Sequence, residues 1–142
     1  MNFAKKLAAT ALFAVSLVMT GCGDAQVGSI DVDKVMEEAP RVKTLLTEAE
    51  GKIKEAQEKF EQEYGNKEMS EEDATKVQME FQRKLAGINQ AYASQIRSRM
   101  DVVIEEVSRE KNIDVVINNS SEDKMIFHGA VDVTDDVIKK MQ

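Results

Sequence analysis

The chain reads as an α+β protein in which a small strand-bearing head is interrupted by a long antiparallel coiled-coil helical hairpin. Three observations lead there. Two apolar stripes at helical spacing fill residues 41–111, the stripes keep one register along their length, and the runs that read as strands lie outside them. Composition agrees: 32% of the 142 residues are charged and 5% aromatic, with one Pro and 7 Gly, a balance that favours helix and excludes collagen-like and proline-rich disordered chains. One cysteine excludes a disulfide framework and a four-thiolate zinc site.

The N-terminal segment stands apart from this fold. MNFAKK precedes residues 7–19, which carry no charge, and Thr20, Gly21 and Cys22 follow. A cationic start, an apolar middle and a small-residue end make an export signal. The 13 uncharged residues would reach about 20 Å as a helix, short of the hydrocarbon core of about 30 Å. Residues 1–21 are therefore expected to be cleaved. VMTGC resembles the lipobox of bacterial lipoproteins, with Met19 where that motif prefers Leu. The resemblance implies that Cys22 is a lipid attachment site and the new N-terminus, and Gly23 after it fits release to the outer membrane. Ordinary cleavage near residues 21–25 would instead leave a periplasmic chain with a free thiol.

The elements follow in order. VGSIDV (residues 27–32) reads as a strand, and DVDKVMEEA as a short capped turn ending at Pro40. The first stripe runs Val42, Leu45, Ala49, Ile53, Ala56, Phe60, Tyr64; the second Ala74, Val77, Phe81, Leu85, Ile88, Tyr92, Ile96, Met100, Val103, Val107. Both advance in threes and fours, as a buried helix face does. Gly65 is expected to end the first helix in the left-handed conformation and Ser70 to cap the second, ahead of Glu71, Glu72 and Asp73. So short a connection makes the helices neighbours. Pairing Tyr64 with Ala74, Phe60 with Val77, Ala56 with Phe81 and onward to Val42 with Ile96 keeps the position numbers adding to 137 or 138, which is one antiparallel register. Gly51 and Gly87 fall at the same level of that register. Each weakens a helix interior by about 1 kcal/mol relative to Ala, so the pair is a candidate hinge.

After the hairpin, IDVVI (residues 113–117) and MIFHGAV (residues 125–131) read as strands around the polar turn NNSSEDK. VDVTDDVIKKM reads as a final helix capped by Thr134, with Asp135 and Asp136 first, Lys139 and Lys140 last, and Val133 stapled onto Ile138. The domain is thus expected over residues 22–142, with a head of 23–40 and 112–142, a hairpin of 41–111 and a tip near 65–69. A head of this size is marginal by itself and leaves sheet edges open, so self-association is expected.

A split head with an inserted hairpin resembles the Skp/OmpH family of periplasmic chaperones. The likeness rests on GSIDVDKVMEEAPR, VSREKNIDVVINNS and VDVTDDVIKKM. It implies a homotrimer whose heads join into a β-barrel, with arms around a cavity that holds unfolded outer-membrane proteins. It implies no cofactor and no ATP, and the sequence has no phosphate-binding glycine loop. Off-stripe Leu46, Met69 and Met79 are candidate client contacts, methionine being adaptable in shape. The charge departs from the family. Known members are basic, whereas without residues 1–21 this chain sets 17 cations against 26 acids, net −9. A lipopolysaccharide site is therefore not carried over, and the arms look short for the family.

An enzyme is not expected. His128 is the only histidine, expected to be hydrogen-bonded at a strand end, and no nucleophile set or zinc spacing accompanies it. Nucleic acid is disfavoured by the negative charge. The carboxylates recur beside lysines, as in Glu48-Lys52 and Glu55-Lys59, and read as a solvated helix face. The competing function is a membrane-anchored structural or assembly lipoprotein whose arm docks one fixed envelope partner.

Overall fold

Val, Ile and Ser residues from distant parts of the chain meet in one small sheet. The computed structural model describes residues 24–142 except 123 and 127; the expected export segment, residues 1–21, and Cys22 lie outside the described residues. Strand β1 (Val27–Ile30) is central, flanked by β2 (Val115–Asn118) and β3 (Val131–Asp132), both parallel to it. Val27 pairs with Val115 and Ile30 with Asn118, while Gly28 pairs with both Val116 and Val131. Strand alternation turns Ile30 and Val116 toward the interior and leaves Val115, on the other face, 49% exposed. Gly28 lets Ile113 approach, since a Cβ there would lie 3.0 Å from its Cγ2.

Between β1 and β2 the chain forms α1 (Val32–Glu38), α2 (Pro40–Tyr64) and α3 (Glu71–Lys111); α4 (Thr134–Lys140) closes it. Asp31 caps α1, its Oδ1 accepting from Lys34 N at 3.0 Å. Pro40 occupies the first turn of α2, where a missing N–H costs nothing. Ser70 caps α3 as expected, accepting from Asp73 N at 3.2 Å.

Three local expectations are corrected. Gly65 ends α2 with right-handed angles (φ −59°, ψ −28°), and its lack of a side chain serves a close approach: a Cβ would meet the Glu61 carbonyl oxygen at 2.5 Å. The left-handed terminus belongs to Asn112 (φ 55°, ψ 44°), which closes α3, asparagine being one of the few residues that tolerate it. Thr134 is the first residue of α4 rather than its cap; its buried hydroxyl donates to Asp132 Oδ1 at 2.6 Å and accepts from Asp31 N at 2.9 Å. The strand expected over residues 125–131 is reduced to Val131–Asp132. Asn119 is the reason: its Oδ1 accepts from the backbones of Met125 and Ile126 at 2.8 and 2.7 Å, and its amide donates to Ile126 O at 3.0 Å. That side chain satisfies groups a strand partner would otherwise take, and Gly129 at φ 91° breaks the extended course.

The helices α2 and α3 pack against each other. Phe60 stacks on Phe81 with ring centroids 4.2 Å apart, and Tyr64 sits 5.4 Å from Phe60. Side chains lean toward the N-terminus of their own helix, so Phe60 and Phe81 tilt from adjacent levels into one another.

One core joins everything. Ile30, Val35, Ala39, Val42, Leu45, Ile96, Val103, Val107, Ile113, Val133, Val137 and Met141 form a single buried cluster. It draws on β1, on α1, on the base of α2, on the second half of α3 and on α4. The head is therefore larger in packing terms than its own residues, because the arm supplies much of its interior. Met141 is fully buried, and its carbonyl accepts from Arg41 N at 3.0 Å. Met141→Ala should lower the unfolding free energy by about 2–5 kcal/mol, read as an earlier urea midpoint in one transition shared by head and arm; two separate transitions would contradict a common core.

Candidate functional site

The second stripe is longer than the first, and the excess builds the site. In its second half α3 carries Met100, Val103, Ile104 and Val107, which join the core shared with the head residues Ile30, Val35, Val133 and Val137. Val103 and Val107 are buried, while Met100 and Ile104 are only half-covered. They line a groove of about 750 Å³ between arm and head. Tyr92, Ala93 and Ile96 extend the α3 wall; Leu46 and Ala49 of α2 form the other side; Ile30, Val32, Met36 and Val116 come from the head. Asn89, Arg97, Asp101 and Asn118 supply the polar positions. An open, mostly apolar concavity with a few polar groups is the default binding surface of a protein.

The groove is held by capped elements. The Asp31 cap orients α1 and so places Val32 and Met36, and Val32 N also donates to Asn118 Oδ1 at 3.3 Å. The α4 helix is tied down by ion pairs, Lys34 with Asp135 at 2.8 Å, Lys111 with Asp136 at 3.1 Å and Lys140 with Glu110 at 2.7 Å. The hydrogen bond from Lys34 holds the Asp135 carboxyl below its usual range, and the same bond raises Lys34. These groups are exposed, so the pairs orient more than they stabilise.

The sequence-predicted contact residues are not brought together. Leu46 stands at the groove, 42% exposed. Met79 is 52% exposed on α3 and Met69 is half-buried in the connection before it; neither lines the groove. Sequence reasoning gave Met36 to the capped turn, Val116 to a strand, and Tyr92 and Met100 to the stripe, and assigned none of them to a groove. The available signal was the unequal length of the two stripes. Gly51 and Gly87 lie inside continuous helices, and a Cβ at either would meet nothing within 4 Å. No neighbour therefore requires a glycine at those positions.

Along the arm away from the head, burial falls off. Val42 and Leu45 are buried, but Ile53, Phe60, Phe81, Leu85 and Ile88 remain half-exposed, as expected where only two helices cover a stripe. Its outer face is ionic. Glu55 accepts from Lys59 at 2.7 Å and from Lys52 at 3.2 Å, so Lys52 turns to Glu55 and not to Glu48 as its spacing suggested. Those bonds, the Lys59 one first, take the Glu55 carboxyl from 4.5 to about 2. Being lowered, it keeps its charge above that range and loses the pairing only as pH falls through about 2. His128 is exposed and makes no hydrogen bond among the described residues, which corrects its expected place at a strand end. The strand around it did not form, for the reasons of Asn119 and Gly129. Among the described residues no cluster of three metal-ligating side chains occurs, and no helix is long and apolar enough to cross a membrane.

Replacing Met36 and Met100 together by Ser should cut the fluorescence of a bound apolar dye by at least about half while secondary structure is kept, because the groove loses two adaptable apolar walls. Unchanged dye binding would place the accessible apolar surface elsewhere.

The family model described as Outer membrane protein (OmpH-like) matches residues 26–141. No curated protein matches the chain.

Proposed function

The chain belongs to the OmpH-like family, whose members are periplasmic chaperones of outer-membrane proteins, and on that premise we propose that it is an ATP-independent holdase for unfolded outer-membrane proteins. The observation that carries this reading is the open apolar groove where arm meets head, continued toward the tip by a half-exposed apolar stripe. A surface of this kind gives many weak contacts and no fixed pose, which suits a chain that must be held and released without chemical work.

In the proposed assembly, residues 1–21 are removed after export and Cys22 carries the lipid that holds the protein at the periplasmic face of the outer membrane. Lipid chains contribute about 0.8 kcal/mol per buried methylene, so multiple acylation amounts to permanent attachment; the mass of the mature N-terminus tests this directly. Three heads associate into a β-barrel through sheet edges that a single copy leaves open, and each α2–α3 pair hangs from it as an antiparallel hairpin. Support comes from the exposed Val115, Met125 and Val131 of the head, apolar side chains that an association of heads could cover. Leu46 at the groove and Met69 and Met79 farther along the arm are the proposed client contacts.

The purified exported protein should have the mass of a trimer in solution and suppress aggregation when an unfolded outer-membrane β-barrel is diluted into it without ATP. A monomer with no effect on aggregation would end the proposal, leaving a lipoprotein that docks one fixed partner.

The paired glycines are proposed as the point where the arm bends to fit clients of different size. The motivation is their common level on the hairpin and the absence of any neighbour that needs them. Gly51→Ala with Gly87→Ala should raise the melting temperature, each site adding up to about 1 kcal/mol of helix stability, and narrow the range of client sizes held. A stabler protein with an unchanged client range would show that the glycines are merely tolerated.

A further inference from the structure

Arginine and lysine are used differently on this chain. Among the described residues, Lys34, Lys52, Lys54, Lys59, Lys76, Lys111 and Lys140 are ion-paired with carboxylates, whereas of the five arginines only Arg109 is. Guanidinium, with its planar fork, is the better carboxylate partner of the two. On a chain with 26 acids and 19 cations, arginines left unpaired are available to something else. Arg41 is the clearest case. Its backbone N–H donates to Met141 O at 3.0 Å, but its side chain makes no hydrogen bond or ion pair among the described residues. Arg99 stands close by, its Nη2 donating to the preceding carbonyl, that of Lys140, at 3.3 Å. Two consecutive carbonyls at the end of α4 therefore hold both arginines in one place.

That place is a second cleft of about 500 Å³ between α2 and α3, sharing no lining residue with the groove. Ser94, Gln95 and Ser98 add hydroxyl and amide donors beside the two arginines, and no acidic residue lines it. Leu45 and the 45% exposed Val102 give it an apolar wall. We propose that this cleft binds a carboxylate side chain flanked by an apolar residue, carried on a polypeptide partner. The fork of Arg41 takes the carboxylate, Ser94 and Ser98 complete its donors, and the neighbouring apolar side chain lies on Val102. A polypeptide fits better than an anionic lipid surface for two reasons. An anionic bilayer face is broad and is repelled by the net charge of −9 left without residues 1–21, whereas one carboxylate senses only the cations within a screening length of about 8–10 Å. The apolar wall is also used by a side chain adjacent in sequence to the carboxylate, and is left empty by a headgroup.

The inference draws on the chaperone reading only in naming a polypeptide as the carrier. It is tested by fluorescence anisotropy of a labelled peptide alternating Leu and Asp against its Leu/Asn counterpart, with the purified protein. The Asp peptide should bind at least about tenfold tighter, as a charge-assisted bidentate contact allows, and more weakly as salt rises. Arg41→Gln should erase that preference and Arg41→Lys keep part of it. Since the exposed Arg41 side chain makes no hydrogen bond or ion pair among the described residues, equal melting temperatures are expected; if Arg41→Gln melts lower, the Asp/Asn comparison on the unaltered protein still decides. Equal binding of the two peptides, or a preference that survives Arg41→Gln, overturns the proposal. So does Arg41-dependent binding of phosphatidylglycerol vesicles without binding of the Asp peptide, which would assign the cleft to a lipid surface. A protein that fails to hold unfolded outer-membrane proteins yet discriminates the peptides would end the chaperone reading and leave this one standing.

Discussion

The structure depends on burying the base of the arm inside the head. A sheet of three short strands with two seven-residue helices has too little apolar area to stand alone. Val42 and Leu45 from α2, with Ile96, Val103 and Val107 from α3, complete its interior. The same contact fixes the arm's direction, because helices rooted in a packed core cannot pivot freely there. It also generates the groove: where α3 runs past the start of α2, residues facing the head are covered on one side only.

Away from that core the balance of forces changes. Two helices can cover only part of each other's stripe, so the arm keeps half-exposed apolar residues inside an ionic sleeve exemplified by Lys52, Glu55 and Lys59. The aromatic contact of Phe60, Phe81 and Tyr64 closes the far end, where no head is available to help. Soft apolar surface framed by solvated charge gives solubility together with weak, adaptable contacts. The acid surplus is not evenly distributed, however. Lysine is mostly spent on local pairing, and the unpaired arginines near the base of the arm create a cationic cleft on a negative chain.

Much of this was legible in the residues. Helix-period stripes located both long helices, since an apolar face must recur every three or four positions to stay on one side. Ser70 and the acidic turn after it marked a real helix start, and the runs read as strands over residues 27–32 and 113–117 contain real ones, shortened to Val27–Ile30 where Asp31 caps α1 and shifted to Val115–Asn118 after the left-handed Asn112. The failures cluster where one side chain meets one backbone group. Asn119 replaced a strand partner for Met125 and Ile126; Asn112, not Gly65, took the left-handed terminus; Thr134 turned inward to Asp31 and Asp132. Such choices depend on which partner is nearest in space, and periodicity carries no information about that.

By itself, then, the sequence determined the α+β class and the extents of the two long helices, because those follow from periodic burial along one element at a time. Tertiary structure alone decided that the strands run parallel around β1, that the excess length of α3 becomes the wall of a groove, and that Leu46 lies at that groove while Met69 and Met79 do not. The physical reason is that a groove is a shortage of cover. It exists only where residues distant in the chain come close without filling the space between them, and that shortage is a property of the packed molecule.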